Sequence, residues 1–203
     1  MSTSLAPAPA LSTHESPFYS VEWRKLMMWL FLVTDALLFA GFLGGYAFCR
    51  LASDRPWPDR AQVFDLTFIT VMTFALITSS TTMASAVLAA RNGRLMTARS
   101  FLLVTALIGL AFLGMQAYEW THFIRAGARL DSNPWGVPGF SSYFFLITGF
   151  HGTHVLIGVL ALLLTAARSL ARPNADEMVE VVGLYWHFVD LVWVFVFGCF
   201  YLV

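Results

Sequence analysis

The sequence predicts an all-α polytopic membrane protein: a bundle of five transmembrane helices, N-terminus inside and C-terminus outside. Two observations carry the class. Hydrophobic residue types make up 58% of the 203 residues and charged types only 12%, about half the charged share usual in soluble domains. The apolar residues also fall into five runs long enough to cross the ~30 Å hydrocarbon layer, which takes roughly 20 helical residues. Backbone groups in lipid must pair within their own segment, so these runs are read as helices rather than strands.

In chain order, residues 1–22 are polar and Pro/Ala-rich, with no basic start or apolar core. They read as a flexible N-terminal segment rather than a cleavable signal peptide. Residues 23–203 form the transmembrane domain, with helices expected at about 23–48, 64–90, 101–123, 140–167 and 179–203. The linkers between them hold helix breakers: Pro56 and Pro58, then Asn92-Gly93, then Asn133-Pro134 and Pro138, then Pro173-Asn174. Orientation follows from the basic residues. With the N-terminus inside, Arg24, Lys25, Arg91, Arg94, Arg99, Arg168 and Arg172 lie on the inner side. Arg50, Arg55, Arg60, Arg125 and Arg129 lie on the outer side.

Net charge is zero, which gives no support for a nucleic-acid partner. Cys49 and Cys199 form no CxxC and suggest neither a disulfide framework nor a zinc site. Small residues let helices approach in lipid, so Gly41, Gly44 and Gly45 on helix 1 and Gly149, Gly152 and Gly158 on helix 4 are expected at contact faces. The hydroxyl-rich run of helix 2 (Thr70, Thr73, Thr78 to Thr82, Ser85) is expected to bond back along its own helix or across to a neighbour.

Ionisable groups at membrane depth are costly and mark partners or function. Counted from the outer ends, Asp35, His151, His154, His187 and Asp190 fall within roughly 8 Å of one level at ~1.5 Å rise per residue. They form a buried polar layer joining helices 1, 4 and 5, in which His151 and Asp190 stand level and are expected to bond. Glu119 and His122 make a polar pair nearer the outer surface. Three readings of the layer compete. His154 with His187 has the matching depth that haem ligation needs, as in a stand-alone membrane haem protein. A di-iron carboxylate site fails, because only one Glu-x-x-His exists where a bundle needs two and further glutamates. The third reading is structural, with buried polar groups fixing helix register, and a proton relay remains beside it.

Helix 4 reads Thr148-Gly149-Phe150-His151-Gly152-Thr153-His154-Val155, and helix 5 reads Tyr185-Trp186-His187-Phe188-Val189-Asp190. With Gln116-Ala117-Tyr118-Glu119-Trp120 on helix 3 and Asp35 to Gly41 on helix 1, these segments resemble, in order and spacing, subunit III of the haem–copper oxidases, and of cytochrome c oxidase in particular. The resemblance covers about residues 23–203 and is to the short, five-helix bacterial form; the common form has two more N-terminal helices. It implies a non-redox accessory subunit of a proton-pumping terminal oxidase, part of an enzyme complex that reduces oxygen to water in aerobic respiration. This chain would hold no cofactor, metal or catalytic residue of its own, with haem and copper in partner subunits. Its implied work is to stabilise subunit I, bind phospholipid and support proton uptake. Its implied partners are subunit I, subunit II, other respiratory subunits and membrane lipid, in the bacterial inner membrane. Asp35 stands where the family carries a carbodiimide-reactive carboxylate, usually glutamate. Short quinol-oxidase forms also carry aspartate there, so the third subunit of a quinol oxidase, or an accessory subunit of nitric oxide reductase, stays open.

Overall fold

The computed structural model describes residues 23–59, 63–168 and 175–202. The N-terminal segment, Arg60, Arg172, the Pro173-Asn174 breaker and Val203 therefore lie outside the described residues. Among these, the chain forms five helices: α1 (Trp23–Leu51), α2 (Leu66–Arg91), α3 (Leu95–Arg125), α4 (Pro138–Arg168) and α5 (Ala175–Val196). A wider π-helical turn, Phe197–Leu202, continues α5. All five are long and apolar enough to cross a membrane, and there is no strand among the described residues.

Helix ends follow from local chemistry. The Asp65 side chain accepts from the Thr67 and Phe68 amides at 3.0 and 3.1 Å and starts α2. Gly93, with φ +70°, reverses the chain after α2, so the Arg94 amide reaches the Ala89 carbonyl at 2.9 Å. Pro138 opens α4, where its missing N–H costs nothing. Asn133 organises the preceding loop: its Oδ1 accepts from the Trp135 amide, and its Nδ2 donates to the Val137 carbonyl and to Ser141. α3 begins at Leu95, six residues before its apolar run. Hydropathy marks the hydrocarbon span, whereas backbone hydrogen bonding carries the helix on into the polar zone.

α2, α3, α4 and α5 pack on one another, while α1 rests on α4 and α5 from one side. Its buried residues, Leu32, Asp35, Phe39 and Tyr46, form one narrow stripe. Leu30, Val33 and Leu37 stay exposed, as lipid-facing residues must. Of the glycines expected at contacts, Gly45 and those of α4 meet neighbours closely. A Cβ at Gly45 would lie 2.9 Å from the Tyr143 hydroxyl, one at Gly152 2.8 Å from Gln116, and one at Gly158 2.9 Å from Trp186. Gly41 and Gly44 differ: nothing lies within 4 Å of a Cβ there among the described residues. They fall off the single stripe by which α1 touches the bundle.

Each end of the bundle has its own fastening. At the end carrying Trp23, Glu180 of α5 accepts Lys25 of α1 at 3.1 Å and Arg91 of α2 at 2.7 Å. These pairs are partly solvated and each contributes about 0–1 kcal/mol. At the opposite end Phe64, Phe123, Phe140, Phe144 and Phe200 form one aromatic cluster, with ring centroids 4.3 to 6.2 Å apart. Between the ends, the Trp186 indole wedges among α2, α3 and α4. A Cβ on Gly109 of α3 would lie 2.5 Å from its ring and 2.8 Å from Val159. Gly109→Ala is therefore expected to destabilise the bundle by about 1–3 kcal/mol, the usual cost of overpacking. Gly114→Ala, with nothing within 4 Å of its Cβ, should leave the thermal midpoint in detergent unchanged. Equal midpoints for the two variants would contradict this packing.

Candidate functional site: a buried polar layer

The ionisable groups expected in one layer fall into two clusters, with His151 apart from both. Asp35 of α1 and His154 of α4, both buried, meet at 3.3 Å between Oδ1 and Nε2. His154 Nδ1 stands 2.9 Å from the Phe150 carbonyl, which only accepts, so Nδ1 carries the proton. Nε2 is left facing the carboxyl of α1. Phe39 and Phe150 enclose the imidazole at 5.6 and 4.7 Å between ring centroids. The Tyr185 hydroxyl donates to the His154 carbonyl at 3.0 Å and brings α5 to the same point.

The second cluster joins α2 and α5. His187 Nδ1 lies 2.6 Å from the Ser80 hydroxyl, and the Trp186 indole donates to Ser79 at 2.9 Å. Ser79 reaches Asp190 Oδ2 at 3.5 Å. One turn or so further along, the Trp193 indole donates to Thr73 at 3.0 Å. The hydroxyls of α2 thus divide as expected. Thr70, Thr78, Thr81 and Ser85 bond back to their own helix, Thr73, Ser79 and Thr82 do so and also reach across, and Ser80 reaches across to His187.

The expected bond between His151 and Asp190 is not formed. His151 is fully buried between aromatic rings, 5.0 Å from Trp193 and 5.8 Å from Phe112, and neither ring nitrogen meets a partner among the described residues. Depth along the sequence placed the two residues level, but depth does not fix azimuth. The Asp190 carboxyl turns to the serines of α2, and His154 rather than His151 takes the carboxyl of α1. Glu119 and His122 are likewise not bonded to each other among the described residues. Glu119 is buried and accepts from the Tyr201 hydroxyl at 3.2 Å, His122 is exposed, and both line one cavity between α2 and α3. On the far side of α3, Gln116 donates to the Thr148 carbonyl at 2.6 Å and Trp120 to the Thr148 hydroxyl at 3.0 Å. Thr148, Tyr185 and Tyr201 are the members that sequence reasoning missed, whereas Ser79 and Ser80 belong to the run it singled out.

Five helices long and apolar enough to cross a membrane, packed around buried polar side chains, have the character of a polytopic membrane protein. The family model described as cytochrome c oxidase subunit III matches residues 14–203. The chain belongs to that family. Among its relatives, the protein named probable quinol oxidase subunit 3 of Staphylococcus saprophyticus is 31% identical over 184 residues, 89% of each chain. The proteins of the same name from Staphylococcus haemolyticus and Staphylococcus aureus are 30% and 31% identical over 196 residues, 95% of this chain and 94% of theirs.

Removing either member of the Asp35–His154 pair leaves the other buried without a partner, at about 1–3 kcal/mol. Asp35→Ala and His154→Ala should each lower thermal stability, and the double variant should lose little more than either alone. Strict additivity in that double-mutant cycle would show that the pair does not couple the helices.

Proposed function

We propose that this chain is the non-redox third subunit of a proton-pumping terminal oxidase that reduces oxygen to water, and that it has no catalytic residue of its own. Its work is to stabilise subunit I, bind phospholipid and support proton uptake. It does so beside subunits I and II, in a bacterial inner membrane with the N-terminus inside. The carrying observation is the Asp35–His154 pair: a buried carboxyl and a buried imidazole that meet at 3.3 Å within the family's helical bundle. Haem and copper belong to the partner subunits in this reading. It is supported by the commitments of the histidines, since both ring nitrogens of His154 have protein partners and His187 Nδ1 is held by Ser80. The three arginines of the α2–α3 turn region, Arg91, Arg94 and Arg99, support the orientation.

A second reading, the third subunit of a quinol oxidase, is favoured by the names of the staphylococcal relatives. The two differ in the electron donor, which subunit II determines through the presence or absence of its own copper ligands. Sequencing the subunit II that co-purifies with this chain decides between them.

Deleting this chain should leave the initial rate of oxygen reduction per subunit I largely intact and hasten inactivation during turnover. Immediate loss of that rate, with subunits I and II fully assembled and haem-loaded, would overturn the accessory role. A hydrophobic carbodiimide should label Asp35, and Asp35→Asn should abolish the label; peptide mapping that finds the label elsewhere removes Asp35 from its assigned part.

A further inference from the structure

At the end of the bundle carrying Trp23, a cavity of about 270 Å³ lies between α2 and α5. Arg91, the last residue of α2, and Glu180, on the second turn of α5, are its lining residues nearest the helix ends. Ala84 and His187 stand deepest in it, seven residues further along each helix. The His187 imidazole is half-buried, and its Nδ1 lies 2.6 Å from the Ser80 hydroxyl, which leaves Nε2 as the nitrogen for any further partner. Behind it the Ser79 and Ser80 hydroxyls bear on the carboxyl of Asp190, a side chain 5% exposed whose Oδ1 has no partner among the described residues. The charged and titratable groups around this path are therefore Arg91 from α2, Glu180 and Asp190 from α5 and, through its ion pair with Glu180, Lys25 from α1.

Depth gives the cavity its meaning. The 28 residues from Ala175 to Leu202 span about 42 Å, so each end projects roughly 6 Å beyond a ~30 Å hydrocarbon core. Glu180 then stands close to the boundary of that core, and His187 about 10 Å further in. An imidazole nitrogen turned to acyl chains at that depth would be left without a hydrogen bond. A cavity with an arginine and a glutamate near the surface and an imidazole at its floor instead offers water the polar partners that it needs. The protonated ring also has its donors placed. Nδ1–H donates to Ser80, the Ser80 hydroxyl turns to Asp190, and Nε2–H is left for the cavity.

We infer that this cavity is a water-filled inlet through which His187 exchanges protons with the aqueous phase at the Trp23 end. A hydronium ion in the inlet gives its proton to Nε2 and is left as water, and Ser80 accepts from the Nδ1–H of the resulting imidazolium. The proposed orientation makes that phase the inner one, so the inference rests on that reading for the side alone.

The test uses the intact oxidase complex in lipid nanodiscs, transferred to buffer in D2O. Exchange at the C2 hydrogen of each histidine is read by mass spectrometry of its peptides. That exchange needs both a protonated imidazole and water, so it reports on both halves of the inference. His187 should exchange within about tenfold of the rate of the exposed His122, and the fully buried His151 far more slowly. Ala84→Phe, which fills the floor of the cavity, should slow His187 at least about tenfold and leave His122 unchanged. Leu88→Trp, at an exposed position of the same lining, serves if the Ala84 variant does not assemble. A His187 rate as low as that of His151, or one that neither filling substitution moves, would overturn the inlet. Labelling of Arg94→Cys in whole cells by an impermeant maleimide reports separately on which side the Trp23 end faces. Co-purification with subunits I and II reports on the oxidase reading.

Discussion

In a lipid solvent, apolar contact between helices gains little over contact with acyl chains, so the bundle depends on polar groups that cannot be left unpaired. Each packed pair of helices is joined by at least one such bond. Trp186 to Ser79 and Trp193 to Thr73 join α5 to α2. The hydroxyls of Thr82 and Thr105, 2.7 Å apart, join α2 to α3, and Gln116 and Trp120 to Thr148 join α3 to α4. Tyr185 joins α5 to α4 through the His154 carbonyl. Each bond is individually modest in membranes, about 0.6 kcal/mol on average. Their value lies in direction, because each one fixes rotation and register of a helix that apolar packing alone would let turn.

The tryptophans of α5 show how packing and polarity act together. Trp186 and Trp193 are both fully buried, and each donates its indole N–H to a hydroxyl of α2. The ring of Trp186 fits only because Gly109 and Gly158 present no side chain beneath it. Glycine on two helices, a large ring on a third and a serine on a fourth therefore form one unit.

The sequence was most informative where the membrane itself imposes a rule. Helix number and the approximate spans followed from length and hydropathy, and the helix ends that moved, such as Leu95, moved into polar flanks that hydropathy does not weigh. The burial of Asp35, His151, His154 and Asp190 was also legible, because an Asp or His stands out against apolar neighbours. Their pairing was not. Counting residues gives height along a helix but not the direction in which a side chain leaves it, so His151 and Asp190 read as partners while Asp190 faces α2. The same limit left open which hydroxyls of the α2 run reach across: Ser79 and Ser80 do, to neighbours more than a hundred residues away in the chain.

The least embedded helix carries the most consequential pair. α1 touches the bundle along one stripe, and its fastening at the Trp23 end is through partly solvated ion pairs that salt screens. The aromatic contacts of Tyr46 with Trp57, edge-to-face at 5.3 Å, and with Phe200, tilted at 4.5 Å, secure the other end. Between them Asp35 is the buried polar side chain of α1, and its partner His154 is fixed on α4 by the Phe150 carbonyl. The Asp35–His154 contact therefore ties α1 to α4 inside the bundle, between the fastenings at its two ends.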